Sequence, residues 1–332
     1  MRTALKAGLL SLILLLYLTP SKAQDIHYSQ FWNNPDQTNP ASIGSGKEHL
    51  WVALSIKEQW SQIPVPYSGR KLSFFQDIQK SFLGVDKFTF FSSILHDSSG
   101  DASYSNTQLR LGLNGHLSLA SNQTLGLNIS FDYANRQVDM SKLRYGSQFD
   151  GELFRSDIDP QDPAVEFLKN YGSLHAGLNY RLSNEKGVKL QLGLAGFQLN
   201  KPSTTELNVS YRPIRWSSTF AYWFYLSEQT YIRSDLNFQV QGPYSVLLVG
   251  GSLGFKITPR GQEEVGLYYR NKDALFIYLS YRSDSYKIGF SYDINLSENK
   301  VATQGRGGPE LFINYFITKV DPIKTIKACP IY

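Results

Sequence analysis

Five histidines, His27, His49, His96, His116 and His175, are the residues best suited to proton transfer or metal binding, and their spacing serves neither. No two stand at a ligand spacing such as His-x-x-x-His. His116 and Ser118 share one face of an extended chain, but a base and nucleophile also need an orienting acid, and the sequence offers none beside them. The reading adopted is a solvated luminal histidine. Asp157-Ile158-Asp159-Pro160-Gln161-Asp162-Pro163 gathers carboxylates of the kind that bind Ca²⁺, yet the spacing is not that of an EF-hand and the two prolines favour a plain turn. Asp97-Ser98-Ser99-Gly100-Asp101 also reads as a turn. Gly305-Arg306-Gly307-Gly308 lacks the Gly-Lys-Ser/Thr of a phosphate loop. Cys329 is the only cysteine, so no internal disulfide can form; it stays free or pairs with another chain. The expectation is a protein with no catalytic residues, no metal and no cofactor, acting by binding.

The elements that must position any site alternate apolar and polar residues along nearly the whole chain. Leu125, Leu127, Ile129, Phe131 and Tyr133 take one face of a strand, and Thr124, Gly126, Asn128, Ser130 and Asp132 the other. Leu109, Leu111 and Leu113 likewise oppose Arg110, Asn114 and His116; Leu174 and Leu178 oppose His175 and Asn179; Ile232, Leu236 and Phe238 oppose Arg233, Asp235 and Asn237. Charges on the inner face would be intolerable in a dry sandwich core without partners. Residues 1–23 read as a signal peptide, with Arg2 and Lys6 before an apolar core and Ser21-Lys22-Ala23 as cleavage site. Repeated amphipathic strands in an exported chain predict an all-β, transmembrane antiparallel β-barrel in the outer membrane, greasy towards lipid and polar towards a hydrated lumen.

Fourteen strands are predicted, near 48–59, 68–75, 88–95, 107–119, 123–134, 174–182, 188–198, 215–226, 230–240, 245–256, 262–270, 274–282, 286–293 and 308–317. The domains are then a signal peptide 1–23, an irregular N-terminal segment 24–46, the barrel 47–317 and a short periplasmic tail 318–332. Both termini are expected in the periplasm, with short turns there and the longer loops outside. The longest outer loop, 135–173, is a length usually reserved for function; within it Val165 to Tyr171 could form one or two helical turns. Trp51, Trp60, Trp216 and Trp223 lie in or at the ends of strands, as girdle residues or as ordinary strand composition. Composition agrees: 14% aromatic residues, with 21 Tyr and 20 Phe, suit aromatic girdles. The net charge of +5 includes three positive residues in the signal peptide, so it gives no reason to expect nucleic acid as a partner.

The irregular segment carries a resemblance. Gln24-Asp25-Ile26-His27-Tyr28-Ser29-Gln30-Phe31 leads through Trp32 and Pro35 to Asn39-Pro40-Ala41 and Gly44. With Gln59-Trp60, Tyr145-Gly146-Ser147-Gln148-Phe149-Asp150 and Cys329-Pro330, this resembles the PorP/SprF family of the Bacteroidetes type IX secretion and gliding machinery. Glu58 stands where that family usually has Asn. The resemblance implies a non-enzymatic barrel, embedded in outer-membrane lipid, that partners a large secreted surface adhesin or other type IX secretion components. Alternatives are a core machinery component touching periplasmic ring proteins, and a porin or fatty-acid-type channel. Pro35 and Pro40 resist strand pairing, and Tyr28, Phe31 and Trp32 are apolar anchors on a polar thread. The segment is therefore a candidate plug, or else a structured periplasmic lead-in that staples the first strand. Asp25, Tyr28, Gln30, Phe31, Trp32, Pro35, Asn39, Pro40, Tyr145, Gln148, Phe149 and Cys329 are the candidate plug or partner-binding residues.

Overall fold

A computed structural model describes residues 27–318, apart from 47, 61–65, 79–83, 101–102, 140–141, 159–167, 206–209, 259 and 299. The signal peptide, Asp25, Cys329 with the tail, and most of the Asp157–Pro163 stretch lie outside the described residues, as do both termini. Fourteen strands follow one another: β1 (Glu48–Gln59), β2 (Tyr67–Ile78), β3 (Lys87–Ser99), β4 (Tyr104–Ala120), β5 (Gln123–Gln137), β6 (Tyr171–Asn184), β7 (Gly187–Phe197), β8 (Arg215–Tyr225), β9 (Thr230–Gln241), β10 (Tyr244–Thr258), β11 (Gly261–Arg270), β12 (Ala274–Arg282), β13 (Tyr286–Asn295) and β14 (Arg306–Thr318). Each pairs antiparallel with its neighbours in sequence, and β1 pairs with β14 from Glu48↔Thr318 to Lys57↔Glu310, closing the cylinder. Closure leaves no unpaired edge, the condition for sheet to sit in hydrocarbon.

Side chains sort as the alternation requires. On β5, Leu127, Phe131 and Tyr133 are exposed and Ile129 reaches 66%, while Asn128, Ser130 and Asp132 are buried in the lumen. Exposed apolar residues recur on every strand, from Leu54 on β1 to Ile313 and Ile317 on β14. A continuous apolar belt far exceeds the patch of about 300–600 Å² that a soluble monomer exposes. Outward tyrosines mark both rims of the belt: Tyr133, Tyr269 and Tyr292 towards one end, Tyr286 and Tyr315 towards the other. No helix among the described residues is long and apolar enough to cross a membrane; the strands do the crossing.

Connections divide by end. One end carries 138–170, 198–214 and 296–305; the other carries tight turns at 121–122, 185–186 and 283–285. Several strands run longer than their sequence signal, because pairing continues past the last apolar residue. Asp97 to Ser99 thus belong to β3 rather than to a turn. Leu168 bridges to Thr205 and Tyr171 opens β6, so the described part of 165–171 is extended, not helical. Of the four tryptophans, Trp216 faces outward. Trp51 stacks on the inward Phe75 at 4.8 Å, and Trp60 and Trp223 line luminal cavities; these three are not girdle residues.

Candidate functional site

The irregular segment occupies the lumen. Pro35 opens a one-turn helix, Pro35–Thr38, and Pro40 opens a 3-10 turn, Pro40–Ser42. Proline suits a first helical position because its missing N–H is not needed there. The Asn39 side chain accepts the Ala41 N–H at 3.2 Å and caps the second turn. The result is a string of tight turns, self-bonded at the backbone and unable to join the barrel ladder. It starts at His27, beside the long-loop end, and runs down to Gly46 at the short-turn end, where β1 begins. His27 and Thr318, the first and last described residues, therefore lie at opposite mouths.

Inward side chains from many strands hold it. Glu310 accepts the Ser29 N–H at 2.7 Å and the Gln30 N–H at 2.9 Å. Ser29 Oγ donates to Asp293 at 2.7 Å, and Gln30 Nε2 donates to Ser291 Oγ and to the Glu310 carbonyl. Lys57 donates to the His27 carbonyl at 2.6 Å. Phe31 packs with Leu248, Tyr268, Phe276 and Tyr278. Trp32 lies 4.6 Å from the Tyr268 ring, with the Arg233 guanidinium 4.6 Å over its own. Tyr28 is buried beneath the Lys71 ammonium, 5.5 Å from its ring centre. Asn34 accepts from Ser55 at 2.7 Å, and Asn114 donates to the carbonyls of Pro40 and Ile43 at 2.8 and 2.9 Å.

Asp36 is the ionic centre. It is fully buried, receives Lys71 Nζ at 2.5 Å and Ser93 Oγ at 2.9 Å, and its carbonyl accepts from Arg110. Arg110 in turn pairs with Asp132 at 2.7 Å, and His175 Nε2 meets Asp132 at 2.8 Å. Burial alone would push the Asp36 carboxyl up. The Lys71 and Arg110 charges, with the Lys71 and Ser93 hydrogen bonds, outweigh it and hold Asp36 below its ordinary 3.8.

Three inward glycines make the seat. A side chain on Gly193 would overlap Asn39 Nδ2, one on Gly126 would overlap the Ala41 carbonyl, and one on Gly177 would stand 3.0 Å from Asn39 Oδ1. Asn39 Nδ2 also donates to the Leu178 carbonyl at 3.0 Å. The Asn39-Pro40-Ala41 turn thus lies flat on β5, β6 and β7 because those strands carry no side chain there. We predict that Gly193→Val, which leaves every plug residue intact, costs about 1–3 kcal/mol by overpacking. It should make the segment accessible to protease in purified barrels; protection equal to the parent would refute the seat.

The segment splits the interior. Towards the long loops lies a cavity of about 560 Å³ lined by His27, Gln37, Lys57, Trp60, Asp97 and Arg110 among others. Towards the short turns lies one of about 340 Å³, with Trp32, Trp51, Trp223, Arg181, Arg282 and Lys287 on its walls. Between them, beside Tyr28, Asn34 and Arg215, only about 10 Å³ remains. The expectation of a solvated luminal His116 is corrected here: His116 is 3% exposed. His175 is 1% exposed and holds Asp132 through Nε2, while its Nδ1 accepts the Gln198 N–H. His116 is buried 3.5 Å from Thr89 Oγ1, which gives its proton to Asp77; Ser118 is exposed and makes no bond to it. Many of the inner charges are paired with one another, Asp36 with Lys71, Asp132 with Arg110 and Asp293 with Arg270.

Among the other candidates, Tyr145, Gln148 and Phe149 lie in the longest loop, remote from the segment. Gln148 is buried: its Oε1 accepts the Tyr145 N–H at 3.1 Å and its Nε2 donates to the Ile158 carbonyl at 2.9 Å. Phe149 bridges to Phe154 and stays exposed. Asp157 is engaged by Arg155 at 3.0 Å. Among the described residues no group of three or more His, Cys, Asp or Glu side chains could hold a metal ion. Asp36, Lys71, Arg110, Asp132 and Glu310 were not singled out by motif. Alternation places the strand members of this set inside, and Arg110 faces Asp132 on the next strand, but Asp36, the partner of Lys71, comes from the irregular segment, which no alternation marks.

A family model described as type IX secretion system membrane protein PorP/SprF matches residues 21–315. The chain belongs to this family. No curated protein matches the sequence. Among solved structures, this PorP/SprF member is similar to the P. putida toluene transporter TodX, with 10% identity, TM-score 0.50, and coverage of 86% of this chain and 93% of that one. A TodX deltaS2S3 mutant, described as a monoaromatic hydrocarbon channel, gives 10% identity, TM-score 0.52, and coverage of 86% and 94%. CdiB from Acinetobacter baumannii gives 10% identity and TM-score 0.45; the match covers 81% of this chain and 60% of CdiB. At such identities the likeness concerns the fold, an outer-membrane β-barrel. The PorP/SprF chain is thus an outer-membrane barrel of a type IX secretion family.

Proposed function

We propose that this PorP/SprF barrel is a non-enzymatic binding partner that takes up a large secreted adhesin during type IX export and holds it at the cell surface. The observation that carries the reading is a lumen occupied by the protein's own N-terminal segment, held to the wall by the Asp36–Lys71 ion pair and the Arg110 bond to the Asp36 carbonyl. An occupied lumen suits contact at the mouths better than conduction. Barrels of this kind place their longer loops outside, so the contact surface is the outer mouth with loops 138–170 and 198–214. Charged side chains among the aromatic ones on both cavity walls, Lys57, Arg110 and Asp97 in one and Arg181, Arg282 and Lys287 in the other, speak against a fatty-acid or hydrocarbon conduit, which wants an apolar lining.

Affinity purification in mild detergent with mass spectrometry tests this. A very large secreted protein should co-purify with the parent and be lost when loop 138–170 is shortened. Recovery of periplasmic ring components alone would turn the assignment to the secretion machinery. Recovery of neither, with steady ion conductance, would turn it to a porin.

A further inference from the structure

Inward carboxylates in this barrel come with cations. Asp36 has Lys71, Asp77 has Lys87, Asp132 has Arg110, Asp235 and Glu264 have Arg233, Asp293 has Arg270, and Glu310 has Lys57. Asp97 breaks the pattern. It points inward near the long-loop end of β3 and opens onto the 560 Å³ cavity, and no Lys or Arg among the described residues pairs with it. Its neighbour on β2 is Gly69, which has no side chain to cover it. Its neighbour on β4 is Asn106, which lines the same cavity, is 7% exposed, and leaves Oδ1 without a hydrogen-bond partner.

A carboxylate that the Ser98 backbone N–H reaches but no cation pairs, and an amide oxygen without a partner, thus stand side by side at the wall of a cavity. Uncompensated groups in such a place are costly unless something satisfies them. Trp60 and Tyr67 line the cavity too, their rings 5.1 Å apart and edge to face. Trp60 is held there by its N–H bond to the Gly307 carbonyl at 2.7 Å, with a left-handed backbone (φ 58°) that a bulky residue adopts only under constraint. A carboxylate and an amide oxygen beside aromatic faces are the groups that recognise an organic cation. A calcium ion would want six or more oxygens, and this wall supplies fewer.

We propose that Asp97 and Asn106, with Trp60 and Tyr67, form a binding site for a primary ammonium or guanidinium group entering through the outer mouth. The group is either a lysine or arginine side chain of an extended polypeptide or a free amine. The assignment does not depend on which protein is secreted.

The test uses the full-length purified barrel in detergent, titrated by calorimetry with Gly-Lys-Gly amide, Gly-Arg-Gly amide, Gly-Gln-Gly amide, spermidine and CaCl₂. The cationic probes should bind saturably and the glutamine peptide should not. Asp97→Asn should weaken cation binding about tenfold, the equivalent of one charge-assisted hydrogen bond. That change breaks no ion pair, so its thermal unfolding should match or exceed the parent's. Asn106→Ala should weaken binding in the same direction. Tighter binding of the peptides supports a polypeptide arm, and tighter binding of spermidine supports a free amine. Absence of saturable binding by any amine, equal binding by Asp97→Asn, or saturation by CaCl₂ alone would overturn the site.

Discussion

Removal of residues 24–46 is expected to convert a closed barrel into a conducting one. The cavities of about 560 and 340 Å³ are separated only by the described part of that segment. Without it they merge into one passage lined by Arg110, Lys57, Arg215, Asp293 and Glu310, a wall that water and ions wet readily. Closure of the sheet through β1 and β14 involves no plug residue, so the barrel should still form. Single-channel recording in planar bilayers checks this: the parent should stay closed and the deletion should show steady, ohmic openings. Unchanged conductance would mean that the segment is not what closes the lumen.

Asp36→Ala is expected to be the most destabilising single change in the plug. It strips a fully buried Lys71 ammonium of its carboxylate, while Arg110 keeps its bond to the residue-36 carbonyl and its pair with Asp132. Breaking a buried pair from one side typically costs about 3–5 kcal/mol, because the remaining charge stays desolvated. Asp36→Ala with Lys71→Met removes both charges and should recover most of that loss, a double-mutant cycle that separates ion pairing from packing. Thermal unfolding followed by heat-modified mobility in gels gives the readout. If the double variant is no more stable than Asp36→Ala, pairing is not what anchors the segment. Acid should act in the same direction. Because the folded Asp36 sits below its ordinary 3.8, its contribution is fully present above that value and is lost as pH falls through the lowered folded one.

How much of this could be read from the chain depends on the range of the interactions involved. Strand β5 was legible because alternation is local: Ile129 and Asp132 must face opposite ways whatever else happens. The closing partner of each strand followed from order along the chain, since antiparallel neighbours are joined by short turns. The candidate segment was legible in part. Pro35 and Pro40 announced a chain that cannot pair as a strand, and Tyr28, Phe31 and Trp32 announced anchors, yet Asp36 stood out by nothing. Its significance arises only when β2 and β4 bring Lys71 and Arg110 beside it. Gly126, Gly177 and Gly193 look like ordinary strand glycines until the Asn39-Pro40-Ala41 turn lies against them. Trp51 and Trp223 look like girdle residues, and only the parity of their strands turns them inward.

The sequence by itself therefore determined a closed, lipid-facing sheet of fourteen strands, because periodicity and turn chemistry act between near neighbours. Tertiary structure alone decided that the chain's own segment divides the interior into two cavities, and which wall charges hold that segment. Anchoring the segment needs groups that meet inside the barrel, and positions as far apart in the chain as Ser29 and Glu310, or Asp36 and Arg110, carry no local signal of one another.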